Sequence, residues 1–299
     1  PLPTDKIAMA SIVIFFNTMY NVVDTFYAGL ISTQAISALT LSFMIFFLII
    51  GFGYGFSSAI TALLGNALGK KRYKLASIYA HKGLVFVPLI GLTLSIIGYF
   101  FAPSLFMFLG AKDEYLQISL DYINPILFGA IFFMFNFSLN SILIATGDTK
   151  TYRNSLIFGF FANLALNPLF MYGFLFVPAM GIKGIAFATV LIQIINMFYL
   201  FYKVLQTKLI HFDKLEYFIP NLRIYKLFFT HGIPSSLNML TMAIGSLILT
   251  YFVSHYGIQA VAGYGIGYRV EQLMLLPALG LSTAVLALVS NNFGAKKYD

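Results

Sequence analysis

Eight long apolar runs separated by short polar interruptions dominate the chain, at roughly residues 7–30, 34–68, 76–109, 115–145, 154–176, 180–206, 227–255 and 259–293. Each reaches the ~20 residues an α-helix needs to cross a hydrocarbon core of about 30 Å at 1.5 Å per residue. The pattern predicts an all-α membrane protein with eight spans. Several runs are long enough to tilt or to project beyond the bilayer.

The connections between the runs provide an independent test, because Lys and Arg accumulate in cytoplasmic loops. Of the 18 basic residues, 14 lie before the first span, after the eighth, or in the second, fourth and sixth loops. The second loop carries Lys70, Lys71, Arg72 and Lys74, and the sixth carries Lys203, Lys208, Lys214, Arg223 and Lys226. The odd-numbered loops hold only Lys112 and Lys183, and Lys82 and Arg269 fall within spans. The N-terminus is therefore expected in the cytoplasm. The sixth loop is the longest and mixes charge with Phe, Leu and Tyr. It reads as a cytoplasmic linker over 207–226 between six spans (1–206) and the start of a second unit (227–299).

Composition agrees. The chain is 60% hydrophobic and 9% charged, against about 25% charged in soluble proteins. The net charge of +8 is scattered between apolar runs and forms no single face for nucleic acid. The absence of Cys excludes disulfides, thiolate chemistry and cysteine-ligated metals. No cleavable signal peptide is evident, since the first run is itself a full span.

Polar residues inside the spans carry the chemistry. Asp24 is the only charge of the first span past Lys6, and Asn17, Asn21 and Asp24 follow i, i+4, i+7 spacing along one helical face. Such a face is costly against lipid and should meet a bundle interior or a wet cavity. A carboxyl group withdrawn from water holds its proton more tightly than a free one, so titration of Asp24 can act as a switch. Asn163 with Asn167, and Asn136 with Asn140, are i, i+4 pairs; paired Asn residues also tie helices together. Asn136 and Asn140 are taken as candidate cavity lining. Arg269 and Glu271 are spaced i, i+2, do not face each other, and either line a cavity or pair structurally. Asp121 is expected at the outer interface, and His81 and Lys82 are expected to snorkel. Pro125, Pro168, Pro234 and Pro277 lie in or at the ends of spans and are candidate hinges. The 33 Phe and 11 Met are expected to face lipid and fill packing, with a few lining a substrate cavity.

Shifting the chain by 225 positions aligns it with itself without gaps across two spans. Gln34-Ala-Ile-Ser-Ala38 falls on Gln259-Ala-Val-Ala-Gly263, Gly55-Phe-Ser-Ser-Ala59 on Gly280-Leu-Ser-Thr-Ala284, and Gly69-Lys-Lys-Arg-Tyr73 on Gly294-Ala-Lys-Lys-Tyr298. Six spans separate equivalent points, so the repeat is parallel, and repeat halves flanking a midplane site are a transporter feature. A complete second half would give twelve spans and roughly 450 residues. The chain is accordingly expected to be part of a longer protein.

These features resemble the MATE family, the multidrug and toxic compound extrusion antiporters. The resemblance rests on Tyr20-Asn-Val-Val-Asp24 with Gly29, Gly55-Phe-Ser-Ser-Ala59 leading to Gly69, Gly147-Asp-Thr-Lys150, Asn163-Leu-Ala-Leu-Asn167-Pro168-Leu-Phe170, Gly181-Ile-Lys-Gly-Ile-Ala-Phe-Ala-Thr189, Gly232-Ile-Pro-Ser-Ser236 and Asn292-Phe-Gly-Ala295. The Ile-Pro-Ser-Ser start of the seventh span, with no Glu after it, is similar to the DinF-like prokaryotic branch. The resemblance implies a complete six-helix N-lobe and the first two helices of a C-lobe. It also implies a proton or Na+ site at Asp24, Asn163, Asn167 and Thr189, beside Asn21. Relatives often carry Asp where this chain has Asn167. One carboxylate suits a proton, whereas two would better meet the demands of sodium.

The implied function is an inner-membrane secondary antiporter that exports organic, often cationic, compounds by alternating access. It would work as a monomer in the lipid bilayer, with no cofactor beyond the coupling ion H+ or Na+. No Walker loop, HExxH or His cluster appears, so no enzyme is expected. The nearest rival is a flippase of the same wider superfamily moving a lipid-linked precursor, which should show a more cationic cavity. A major-facilitator transporter lacks support because its Gly-Asp-Arg-rich second loop is missing from Gly69-Lys-Lys-Arg-Tyr-Lys74. An intramembrane enzyme would need a converging His, Asp or Ser set, and a non-transporting scaffold would pack its Asn residues with no water-accessible cavity.

Overall fold

The computed structural model describes residues 4–174, 177–211 and 215–271, and within these the side chains of residues 4–14, 17, 18, 215, 238, 239 and 242 lie outside the description. Among the described residues the chain forms α1 (Thr4–Ile31), α2 (Thr33–Gly69), α3 (Tyr73–Phe108), α4 (Asp113–Ala145), α5 (Lys150–Tyr172), α6 (Ile182–Gln206) and α7 (Leu222–Ser254). A further helix, α8, is described over 258–271, and Leu215–Tyr217 forms one 3-10 turn. A helix stands at each of the first seven expected spans, and α8 covers the described part of the eighth. The five helices α2 to α6 are long and apolar enough to cross a membrane over their described residues.

Helix ends follow local chemistry. The Ser32 side chain accepts from the Ala35 N–H at 3.0 Å and starts α2, satisfying a donor that no upstream carbonyl can reach. The expected fifth span, 154–176, is displaced to Lys150–Tyr172. Asp148 accepts from the Lys150 and Thr151 N–H groups at 3.1 and 3.0 Å and from the Thr151 hydroxyl at 2.5 Å, so the helix begins early. It stops at Gly173, whose φ of 77° lies in the left-handed region that glycine tolerates. α7 likewise begins at Leu222, ahead of the expected 227, because Asn221 accepts from the Arg223 and Ile224 N–H groups at 3.0 and 3.2 Å.

Partial burial by itself would raise the Asp148 pKa, but the Thr151 hydroxyl and the two backbone N–H groups hold it below its ordinary value. A carboxylate depressed in this way adds stability above its unfolded pKa and loses it as pH falls through its folded pKa. Asp148→Ala is therefore expected to cost about 1 kcal/mol near neutral pH, read as a lower melting temperature in detergent. The difference from wild type should shrink on acidification, and Asp148→Asn, which keeps an acceptor, should retain most of the stability. Equal losses at all pH values would rule out the charged cap.

Packing centres on α2, which lies against α1, α3, α4 and α7. It also receives α8: the Ser37 hydroxyl donates to the Ile258 carbonyl at 2.8 Å, and a Cβ on Gly265 would fall 1.9 Å from Thr40 Oγ1. α5 packs between α1 and α6, and α6 also packs on α4. At the start of α6, Lys183 pairs with Asp121 at 3.1 Å, in keeping with an interfacial Asp121. α3 presents Leu92, Ile96, Ile97 and Phe100 outward, Phe100 being 76% exposed. A contiguous apolar surface of this kind is unfavourable in water and natural in lipid.

His81 and Lys82 do not snorkel. Both are buried, because the segment after α6 folds back and supplies the polar partners that bulk water would otherwise provide. Lys82 Nζ donates to the carbonyls of Ile219 and Glu216. His81 Nδ1 sits 2.7 Å from the Ser77 carbonyl, while Nε2 accepts from the His211 N–H at 3.0 Å. The sixth connection is thus fastened onto α3.

Candidate functional site

Asp24 lies about two turns from the end of α1 and is 4% exposed. Its Oδ1 accepts from Asn163 Nδ2 and from Asn167 Nδ2, both at 2.8 Å, and its Oδ2 accepts from Thr189 Oγ1 at 3.3 Å. Asn163 and Asn167 occupy successive turns of α5, and Asn167 Nδ2 also donates to Asn163 Oδ1 at 3.2 Å. Three helices, α1, α5 and α6, therefore meet at one carboxylate. Buried acids are tolerated only where such donors replace water.

Beside this cluster is a cavity of ≈ 20 Å³ lined by Tyr20, Asn21 and Asp24 of α1, Ser42 and Phe43 of α2, Tyr122 of α4, Thr189 of α6 and Arg269 of α8. It has room for one water-sized occupant. The hydroxyl of Tyr20, one turn before Asp24, is close to Thr189 and Asn163 but completes no hydrogen bond. Ser42 Oγ is likewise buried without a partner. Arg269 is 7% exposed, donates to the Gly265 carbonyl at 2.9 Å and lies 5.6 Å from the Phe43 ring centroid.

The remaining expected residues distribute differently. Asn136, taken as cavity lining, instead donates from Nδ2 to the Gln193 carbonyl and side-chain oxygen at 2.9 and 2.8 Å. It binds α4 to α6, because an amide facing a neighbouring helix finds a partner more readily there than in a cavity. Asn140 is buried in α4 and does not line the cavity beside Asp24. Glu271 is exposed. Pro125, Pro168 and Pro234 lie inside α4, α5 and α7, which run on through them as helices. The Asn17 side chain, Pro277 and the second repeat copy beyond Glu271 fall outside the described residues. Ser42 and Tyr122 are not among the residues expected from sequence, and Tyr20 enters there only as the first residue of the Tyr20–Asp24 motif. Tyr20 carried a usable signal, its i, i−4 position to Asp24 on the same face.

Comparison with known proteins identifies the family. The probable multidrug resistance protein YoeA of Bacillus subtilis (strain 168) is 32% identical over 273 residues, covering 90% of this chain and 59% of its own length. The probable multidrug resistance protein YpnP of the same organism is 28% identical over 280 residues, covering 92% and 61%. This chain thus spans less than two thirds of the length of these relatives. A solved structure described as the inward-facing conformation of a multidrug resistance MATE family transporter of the MOP superfamily superposes with a TM-score of 0.83 at 27% identity, covering 93% of this chain and 63% of that one. The superposed protein is described as a transporter and not as an enzyme. With the MatE family model matching residues 10–169 and 234–299, the chain is a multi-pass membrane protein of the MatE family.

Proposed function

We propose that this chain belongs to a proton-coupled secondary antiporter that exports organic compounds by alternating access, with Asp24 as the coupling group. It would reside in a prokaryotic inner membrane as a monomer, N-terminus cytoplasmic, with an N-lobe over 1–206 joined through a linker at 207–226 to a C-lobe beginning at 227. One observation carries the reading: the one buried acid among the described residues sits where three helices meet, beside a small cavity.

The arrangement supports a proton in preference to sodium. Both amides direct N–H groups at Asp24 Oδ1, whereas a hard cation requires several oxygens. Asn167 Oδ1 is one buried oxygen with no partner; a sodium site at Asp24, Asn163, Asn167 and Thr189 would require both amides to turn over. A proton fits on Oδ2, which carries only the 3.3 Å contact from Thr189. Protonation there reverses that hydrogen bond, so Thr189 accepts, and leaves both bonds to Oδ1 in place. The contact between α1 and α6 is then the one that changes with charge.

Organic ligands of drug size occupy about 300–1,000 Å³, far more than the ≈ 20 Å³ present beside Asp24. Substrate entry therefore requires the helices around the cavity to separate. Reconstituting the whole transporter in vesicles tests the coupling: a pH gradient in sodium-free buffer is expected to drive efflux. Efflux driven by a sodium gradient alone, at constant pH, would overturn proton coupling.

A further inference from the structure

Asp24 takes all three of its side-chain hydrogen bonds from α5 and α6. Arg269 reaches the same cavity from α8, beyond the linker. Its burial is poorly compensated: one carbonyl from its own helix, the face of Phe43, and an Nε with no hydrogen-bond partner. A buried guanidinium normally requires a carboxylate and several acceptors. Asp24 is the one buried acid among the described residues, and both groups line the same cavity. Among the described residues, the other elements around Asp24 supply no charge there. α1 and α4 present the neutral hydroxyls of Tyr20 and Tyr122, α2 presents Ser42 and Phe43, and α5 and α6 present amides and Thr189.

We propose that Arg269 is a tethered counter-cation that holds α8 against the first six helices while Asp24 is ionised and is released when another cation neutralises Asp24. The proposal rests on the reading of Asp24 as the coupling group, and it gives the organic cation that the resemblance implies a point of action. The ligand must carry a positive charge that takes the place of the guanidinium, against the Phe43 ring that now holds it; cations favour such faces. A proton and an organic cation then act alternately on the same lock. The unloaded carrier, with Asp24 charged and Arg269 engaged, stays shut and does not dissipate the gradient.

Spin labels at Lys112, in the α3–α4 loop, and Tyr256, in the α7–α8 turn, report the separation, since both are exposed and the adjoining Gly110 and Ser254 approach each other in this structure. In the reconstituted whole transporter, wild type is expected to show a short distance at high pH and a longer one on acidification. Arg269→Gln should raise the long-distance population at high pH about tenfold, within the usual range for coupled sites, and flatten the pH response. Arg269→Lys should restore part of it. Asp24→Asn should be open at all pH values.

If Asp24→Asn abolishes the response while Arg269→Gln leaves it intact, the Arg269 lock is wrong and the coupling role of Asp24 stands. If Asp24→Asn leaves the response intact, both fail. A wild-type measurement guards against misfolding of the variants. At high pH, tetraphenylphosphonium should lengthen the distance and the isosteric anion tetraphenylborate should not; equal effects of the two would also overturn the lock.

Discussion

Asp24→Asn is expected to give a transporter that folds and inserts normally and has lost gradient-driven efflux. The substitution is close to isosteric, and the new amide can satisfy the same neighbours. Its oxygen accepts from Asn163 and Asn167, as Asp24 Oδ1 does now, and its NH2 faces the Thr189 hydroxyl, which can accept. The fold therefore loses little, whereas an apolar residue here would strand two buried amide donors at about 1–3 kcal/mol each. What disappears is the capacity to exchange a charge. Coupling between linked sites commonly amounts to about 5–150-fold in affinity, and all of it should vanish, leaving efflux insensitive to the pH gradient. Asp24→Glu, one methylene longer but still titratable, should retain measurable coupling. Undiminished pH-driven efflux by Asp24→Asn would remove Asp24 from the mechanism.

The second large effect separates two glycines of one helix. Gly55 and Gly65 are both in α2, but a Cβ on Gly55 would fall 1.9 Å from Ser236 Oγ and 2.7 Å from both the Gly232 carbonyl oxygen and the Ser236 nitrogen. The serine hydroxyl can rotate away, but the α7 backbone cannot. Around a Cβ on Gly65 nothing lies within 4 Å. Gly55→Ala must push α2 and α7 apart, and overpacking of this kind costs about 1–3 kcal/mol. Gly65→Ala should be neutral or stabilising by up to about 1 kcal/mol, the usual gain in helix propensity. Melting temperatures in detergent should move in opposite directions, down for Gly55→Ala and level or up for Gly65→Ala. A parallel shift would show that α2 and α7 are not in this close register.

The contact joins two stretches far apart in the chain, Gly55-Phe-Ser-Ser-Ala59 and Gly232-Ile-Pro-Ser-Ser236. Their common feature is a small residue at a helix crossing, which allows backbones to approach in a medium without a strong hydrophobic drive between helices. Small residues in sequence suggest such a crossing without naming the partner.

The asparagine pairs make the same point about the site. Asn163 and Asn167, and Asn136 and Asn140, share one spacing in equally apolar helices. One pair donates to Asp24, whereas Asn136 holds Gln193 of α6. Spacing defines a face, but the helix opposite that face decides whether an amide serves a charge or a structural contact. Asp24 was conspicuous because a lone acid within an apolar span is costly wherever it points. Ser42 and Tyr122 were not, because small hydroxyls and tyrosines are ordinary in membrane helices. Lys82 departs from expectation for a related reason: a lysine near a helix end reaches water by default, and only the return of the sixth connection offers it carbonyls instead.

Hydropathy, loop charge and the position of one carboxylate are properties of the chain in one dimension. They were enough to indicate an all-helical membrane protein, its helix positions and a carboxylate that must be buried among helices. Solvation energy explains this reach, since apolar length and buried charge are costly or favourable whatever their neighbours. The meeting of α1, α5 and α6 at Asp24, the approach of Arg269 across the cavity and the burial of Lys82 depend on contacts between residues more than a hundred positions apart. Such contacts are set by which helix faces pack together, and that choice is made collectively by the folded bundle.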